Sequence, residues 1–326
     1  MKASFNCMAI LISSLCFSHS LVAQEKTSIL QNSVKVSSNS GDSSHLKDST
    51  VQKKAPAVST DSTTPSYLQL NAVYESNDVY LGRQDSARLP LITPEISYIF
   101  SSGFEIDLSV GVDIQGPTAK VNSYALDVSY TFSPGNYTGA ATLTASNYSV
   151  GSGSPNSAQK GSLEYDNDYD FGFIQPSLNL IWLFAKTPDY QLTFALQHQY
   201  NLFGNSVNIT PTATMNVSTQ NIYNSYYKNK RFSIPRPGKP PLPENVTVSG
   251  EVLNSGKFQV ADYELSAPVN YTAGKWTFNF TPTYAIPVNA ADIRLTTKIN
   301  NSTAKKTYQE ILPNTFYVQL GITYAF

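Results

Sequence analysis

Cysteine is nearly missing from this sequence. Cys7 and Cys16 are the only two, so everything after residue 16 lacks a disulfide framework and a cysteine-based metal site. Charge is sparse as well. Charged residues make up 14%, where about 25% is usual, and a net charge of −1 offers no basic surface for nucleic acid. Only three histidines occur, which leaves little for metal or acid–base chemistry. Beyond the N-terminus no run approaches the roughly 18 apolar residues of a membrane helix. A chain of this kind that enters a membrane does so as a closed barrel, because lipid leaves backbone groups no other partners. No nucleic acid, metal or cofactor is expected.

The first 23 residues read as a secretory signal. Lys2 supplies the charge, Met8–Ile12 the apolar centre and Leu21-Val-Ala23 a cleavage site, and the apolar run is too short to span a bilayer. Residues 24–65 are Ser, Thr, Lys, Asp and Gln with scattered single hydrophobics. They cannot bury enough surface to offset their ordering entropy, and they read as a disordered periplasmic tail. Residues 66–326 form the remaining domain.

From Tyr67 onward the pattern has period two, with large apolar residues on one face and polar residues on the other. The last stretch is the clearest: Phe316, Val318, Leu320, Ile322, Tyr324 and Phe326 alternate with Thr315, Tyr317, Gln319, Gly321, Thr323 and Ala325. An apolar face of that size suits a strand whose outside meets lipid. This strand resembles the C-terminal recognition strand of bacterial outer-membrane β-barrels, and the resemblance makes Phe316, Tyr324 and Phe326 an assembly signal read by the barrel-assembly machinery.

The same alternation predicts ten strands, with twelve as the alternative, because Val207–Met215 and Val246–Val252 also alternate. Connections alternate long and short, the short ones near residues 102, 135, 187 and 273. Outward aromatics flank each short turn as Phe100/Phe104, Phe132/Tyr137, Phe184/Tyr190 and Tyr271/Trp276, which forms one interfacial girdle. The expected fold is an all-β, antiparallel, up-and-down transmembrane barrel, with short periplasmic turns and long extracellular loops in lipopolysaccharide. The segments 147–170 and 202–258 read as loops.

The predicted lumen is polar and its charge leans one way, with Glu95, Glu105, Asp107, Asp127, Asp262 and Glu264 inward. Pairing the third and fourth strands through a seven-residue loop, with Asp113 opposite Val121, sets Asp107 against Asp127. Two such carboxylates share a proton or hold a cation between them. Glu164, Asp166, Asp168 and Asp170 are spaced like a calcium loop, yet Phe171 replaces the turn glycine and Ser177 the closing glutamate, so they read as a solvated acidic loop.

The barrel enzymes of similar architecture, omptin proteases and outer-membrane phospholipases, depend on a histidine. Here the barrel region holds only His198, in an outward row, and no catalytic residue is expected. In the 202–258 loop, Tyr226, Tyr227, Lys228, Lys230, Arg231 and Arg236 combine aromatics with cations and read as a surface ligand site. Asp48-Ser-Thr50, Asp61-Ser-Thr63 and Asp85-Ser-Ala87 resemble the O-glycosylation site of Bacteroidetes, and with the whole pattern the chain resembles outer-membrane barrels of that phylum. That resemblance implies a fold and a location. Two functions remain: a narrow porin-like channel for small, cation-leaning solutes, or a non-conducting scaffold or adhesin presenting the 202–258 loop.

Overall fold

The computed structural model describes residues 65–84, 89–115, 118–149, 152, 154, 157–229, 246–300 and 302–326. The expected signal, the tail and the three Asp-Ser motifs lie outside them, as do Lys230, Arg231 and Arg236.

Among the described residues, twelve antiparallel strands close into one barrel. They are β1 (Tyr67–Glu75), β2 (Leu91–Ile99), β3 (Phe104–Asp113), β4 (Lys120–Phe132), β5 (Tyr137–Tyr148) and β6 (Gly161–Tyr169), followed by β7 (Gln175–Phe184), β8 (Asp189–Gln197), β9 (Thr212–Ser218), β10 (Gln259–Ser266), β11 (Trp276–Pro287) and β12 (Thr315–Ala325). Each strand pairs with its neighbour in sequence, and β12 also pairs with β1, Leu70 opposite Tyr324. Short extensions, Tyr200–Leu202, Val207–Ile209 and Val269–Ala273, complete the wall beside β8 to β11. They are set off from the main strands near Pro211 and Pro268, which have no N–H to give the ladder. The architecture is a closed, antiparallel, up-and-down β-barrel.

The barrel has two strands more than the ten expected. β6 lies in the segment read as the 147–170 loop, and β9 lies in the segment read as the 202–258 loop. Each added strand reverses the chain, so the turn at 185–188 moves to the other end of the barrel, while 219–258 remains at the end with the long connections. One end, here the terminal end, holds residues 67 and 325 and the turns at 100–103, 133–136, 170–174 and 274–275. The other, the loop end, holds the connections 76–90, 114–119, 149–160, 185–188, 219–258 and 288–314. The predicted single girdle is therefore two. Trp276, Tyr324 and Phe326 meet at the terminal rim, tilted and edge-on, with centroids 4.6 and 4.8 Å apart, and Phe132 meets Tyr137 there at 5.8 Å. Phe184 and Tyr190 flank Trp182 at the opposite rim.

Gly139 shows why one wall position is small. A Cβ there would lie 2.5 Å from the Phe132 ring and 2.9 Å from Tyr137 Oη. Its absence lets both rings fold over the strand, where Tyr137 Oη donates to Asn167 Oδ1 at 2.5 Å and partners an amide near the rim.

The wall is inside-out relative to a soluble sheet. Leu108 and Leu126 are 51% and 45% exposed, while Ser109 and Asp127 on the inner face are 0% and 1% exposed. Leaving such leucines in water forfeits about 1.5–3 kcal/mol each, and hydrocarbon removes that cost.

Among the described residues, the inner apolar clusters lie at the loop end, where a connection folds in. A two-stranded hairpin, Val79–Tyr80 with Arg83–Gln84, sets Val79 against Ala285 and Tyr317, and Tyr80 and Leu81 against Ala261. Helix α1 (Asn221–Asn229) places Ile222 on Ile181 and Leu183. Its Tyr223, Tyr226 and Tyr227 pack on Val252, Ala291 and Ile293. The last three belong to a cap whose strands, Val246–Val252, Asp292–Ile299 and Ser302–Gln309, form a separate sheet. Val246–Val252, counted toward the twelve-strand alternative, is thus a cap strand and not part of the wall.

Candidate functional site

The wall strands contain a single lysine, Lys120, and no arginine. None of their carboxylates lies on the exposed outer face, where charge costs most. The inner face is therefore anionic along most of the barrel.

Glu95, Glu105, Asp107 and Asp127 come together on β2, β3 and β4. Asp107 stands opposite both Ser97 and Asp127. The expected Asp107–Asp127 pairing holds, although the register nearer the loop does not. A bulge between Gly111 and Val112 puts Val112, not Asp113, opposite Val121, and Asn122 is the extra residue. Ser97 Oγ donates to Glu95 Oε1 at 3.3 Å and Ser129 Oγ to Glu105 Oε2 at 3.5 Å. Asp107 is 4% exposed and its Oδ1 accepts no hydrogen bond from the described residues.

Asp262 and Glu264 do not join this group. They lie on β10, six strands round from β4 and so on the opposite wall, where Tyr317 Oη donates to Glu264 Oε1 at 3.3 Å.

A third set, on β6, lies in the segment expected to be a solvated acidic loop. Glu164, Asp166 and Asp168 face inward because Leu163, Tyr165 and Tyr169 face out. Asn179 Nδ2 donates to both Glu164 and Asp166, and Gln197 Nε2 to Asp168 at 3.5 Å. The signal was present in the alternation of acid with Leu and Tyr, masked by flanking Ser and Gly.

The hydrogen bonds described above reach these lumen carboxylates from amides and hydroxyls. The described inward cation, Arg83, comes from the hairpin and not from the wall. Its Nε donates to Glu310 Oε2 at 3.2 Å, Nη1 to Leu81 O at 3.2 Å and Nη2 to Asn289 O at 3.4 Å. That consumes it at the loop end, away from Asp107 and Asp127.

Of the expected surface ligand site, Tyr226, Tyr227 and Lys228 are among the described residues. Tyr226 and Tyr227 are 2% and 5% exposed, because α1 turns their rings into the cap core. Lys228 is exposed and pairs with Glu251 at 3.2 Å. His198 meets Tyr200 edge-on at 4.6 Å near the terminal rim. Of the assembly-signal residues, Tyr324 and Phe326 sit at the terminal rim, while Phe316 lies opposite Tyr284 toward the loop end.

No protein family matches the sequence, and no curated protein does either. The fold is similar to those of solved porins. The KdgM porin is 10% identical, covering 79% of this chain and 99% of that one with a TM-score of 0.40. The KdgM porin in complex with disordered oligogalacturonate is 9% identical over 80% and 99%, with a TM-score of 0.41. The NanC porin is 9% identical over 79% and 98%, also with a TM-score of 0.41.

Proposed function

We propose that this barrel is a narrow outer-membrane channel for small cations, a passive conduit and not an enzyme. The loop end faces the lipopolysaccharide surface, and the terminal end, with the N-terminal tail, faces the periplasm. The observation that carries this reading is the sign of the wall: carboxylates on the inner face of β2, β3, β4, β6 and β10 against one lysine in all twelve strands. Low-dielectric walls of one sign focus the field along the axis and enrich counter-ions inside, and rings of Asp and Glu favour cations in pores. Amides and hydroxyls orient several of these groups. The solutes are small because inward side chains and folded-in loops narrow the lumen.

The test is the reversal potential of the refolded barrel in a planar bilayer under a KCl gradient. Cation selectivity is expected, reduced severalfold by Asp107→Asn with Asp127→Asn. Anion selectivity in the native barrel, or a double variant unchanged from it, would sink the proposal. The scaffold reading loses Tyr226 and Tyr227 as ligand residues, since both rings are buried.

A further inference from the structure

We propose that Asp107 and Asp127, with the hydroxyls of Ser97 and Ser109, form a calcium site on the inner wall, and that calcium held there blocks the passage of monovalent cations. This rests on the channel reading above and names the ion that regulates it. Asp107 on β3 stands between Ser97 on β2 and Asp127 on β4, directly opposite both. Directly opposite residues on one face have Cβ atoms about 5 Å apart, so the two carboxylates lie side by side. Ser109, two residues further along β3, shares that face, opposite Glu95 and Ala125. All four side chains belong to residues no more than 4% exposed.

Two of their oxygens lack what burial demands. Asp107 Oδ1 and Ser109 Oγ have no hydrogen-bond partner among the described residues. Ser97 gives its proton to Glu95 at 3.3 Å, so its oxygen has lone pairs to offer but no proton for Asp107. Nor does the wall's one cation serve the pair. Lys120 stands opposite Asp113, about 20 Å from Asp127 at the usual rise of a strand. A buried carboxylate oxygen without a donor is costly unless a cation meets it. A small ion supplies the charge that these strands do not.

The donors select the ion. All are oxygens, with no nitrogen or sulfur, which suits hard cations. Two bidentate carboxylates and two hydroxyls make about six ligands, the lower end of what Ca²⁺ takes. Mg²⁺ demands stricter octahedral geometry and gives up its water reluctantly, so calcium fits better. Among the described residues no three His, Cys, Asp or Glu side chains gather into a metal cage. Two acids make a weaker site, of the order of 0.1–1 mM as in extracellular calcium modules, from which the ion exchanges. While it stays, it neutralises the pair and repels the next cation along the lumen.

The test adds CaCl₂ to the barrel conducting K⁺ in a planar bilayer, and measures ⁴⁵Ca²⁺ bound to the barrel refolded in detergent without lipopolysaccharide. Half-block is expected near 1 mM. Asp107→Asn and Asp127→Asn should each raise that concentration at least about tenfold and remove one bound ion per barrel. Ser109→Ala, which keeps both charges, should raise it a few-fold. Glu251→Gln, in the cap, should leave it unchanged and so exclude general screening. Block and binding unaltered in both Asn variants, each folded by heat-modifiable gel mobility, overturn the site. So does native barrel that binds no calcium, which would mean that the two carboxylates share a proton instead. The two readings fail separately. Cation-selective current without calcium block refutes the site and keeps the channel. A silent barrel that binds calcium through Asp107 and Asp127 refutes the channel and keeps the site.

Discussion

At the terminal end, the turns at 100–103, 133–136, 170–174 and 274–275 reverse the chain in a few residues, and aromatic rings ride on the strands beside them. At the loop end, three connections build a hairpin, a helix and a three-stranded sheet, joined to the wall through side chains. The first end is held by the continuous ladder of the barrel, so it opens only when the barrel opens. The second is held by a few polar junctions and small apolar clusters, the kind of region that opens locally while the rest stays folded. Global and local modes of support are thus divided between the two ends.

A substitution in the wall should cost most and act globally. Leu126→Arg places a charge on the lipid face near the middle of β4 and should destabilise the whole barrel by about 2–4 kcal/mol, read by urea unfolding in vesicles. A wild-type midpoint would mean that this face does not meet hydrocarbon. Next comes Asp189→Ala. Asp189 Oδ1 accepts from Thr219 Oγ1 and the Asn221 N–H, and Oδ2 from the Ile222 N–H, so a strand residue caps α1. Loss of a cap costs about 0.5–2 kcal/mol, and here it should appear as protease cleavage within 219–258 with the barrel's gel mobility unchanged. If the barrel unfolds too, the two ends are not separable.

The smallest effect is expected at Glu251. Hydrogen bonds from Arg294 and Lys228 hold its carboxyl below the usual range, so its contribution is present above the unfolded value and fades as pH falls through the folded one. Exposed pairs are worth about 0.2–1 kcal/mol, so Glu251→Gln should lower cap stability slightly at neutral pH and converge with wild type in acid. A gap that persists there would implicate packing, not charge.

Period two made ten of the twelve strands legible because their outer rows are large and apolar. It failed at β6 and β9 for different reasons. On β6 the inner row is carboxylate and the flanks are Ser and Gly, which looked like a loop. On β9 the outer row is only Ala213, Met215 and Val217, and Pro211 interrupts the run. The Asp107–Asp127 pair was readable because register in a two-sided sheet is fixed by alternation, and the bulge at Asn122 falls beyond it.

The loop end was not readable. Asn221–Asn229 is rich in Asn and Tyr, weak helix formers, and it is helical because Asp189 caps it and its rings are buried. Burial also accounts for Tyr223, whose hydroxyl is held well above its usual pKa, first by desolvation and then by Glu310. One signal was available there: Ile181 and Leu183 are apolar on an inward row, where only a folded-in segment could cover them.

The seam between β1 and β12 carries a consequence for the order in which the molecule folds. Thr323 Oγ1 donates to Asn71 Oδ1 across it, and the two residues are 252 apart in sequence. Every other pairing in the wall joins consecutive strands. Contacts of such separation are slow to form because the chain between them must be ordered first. The first strand therefore waits for the last, and the nascent sheet carries two bare edges until the Phe326 N–H reaches the carbonyl of Leu68.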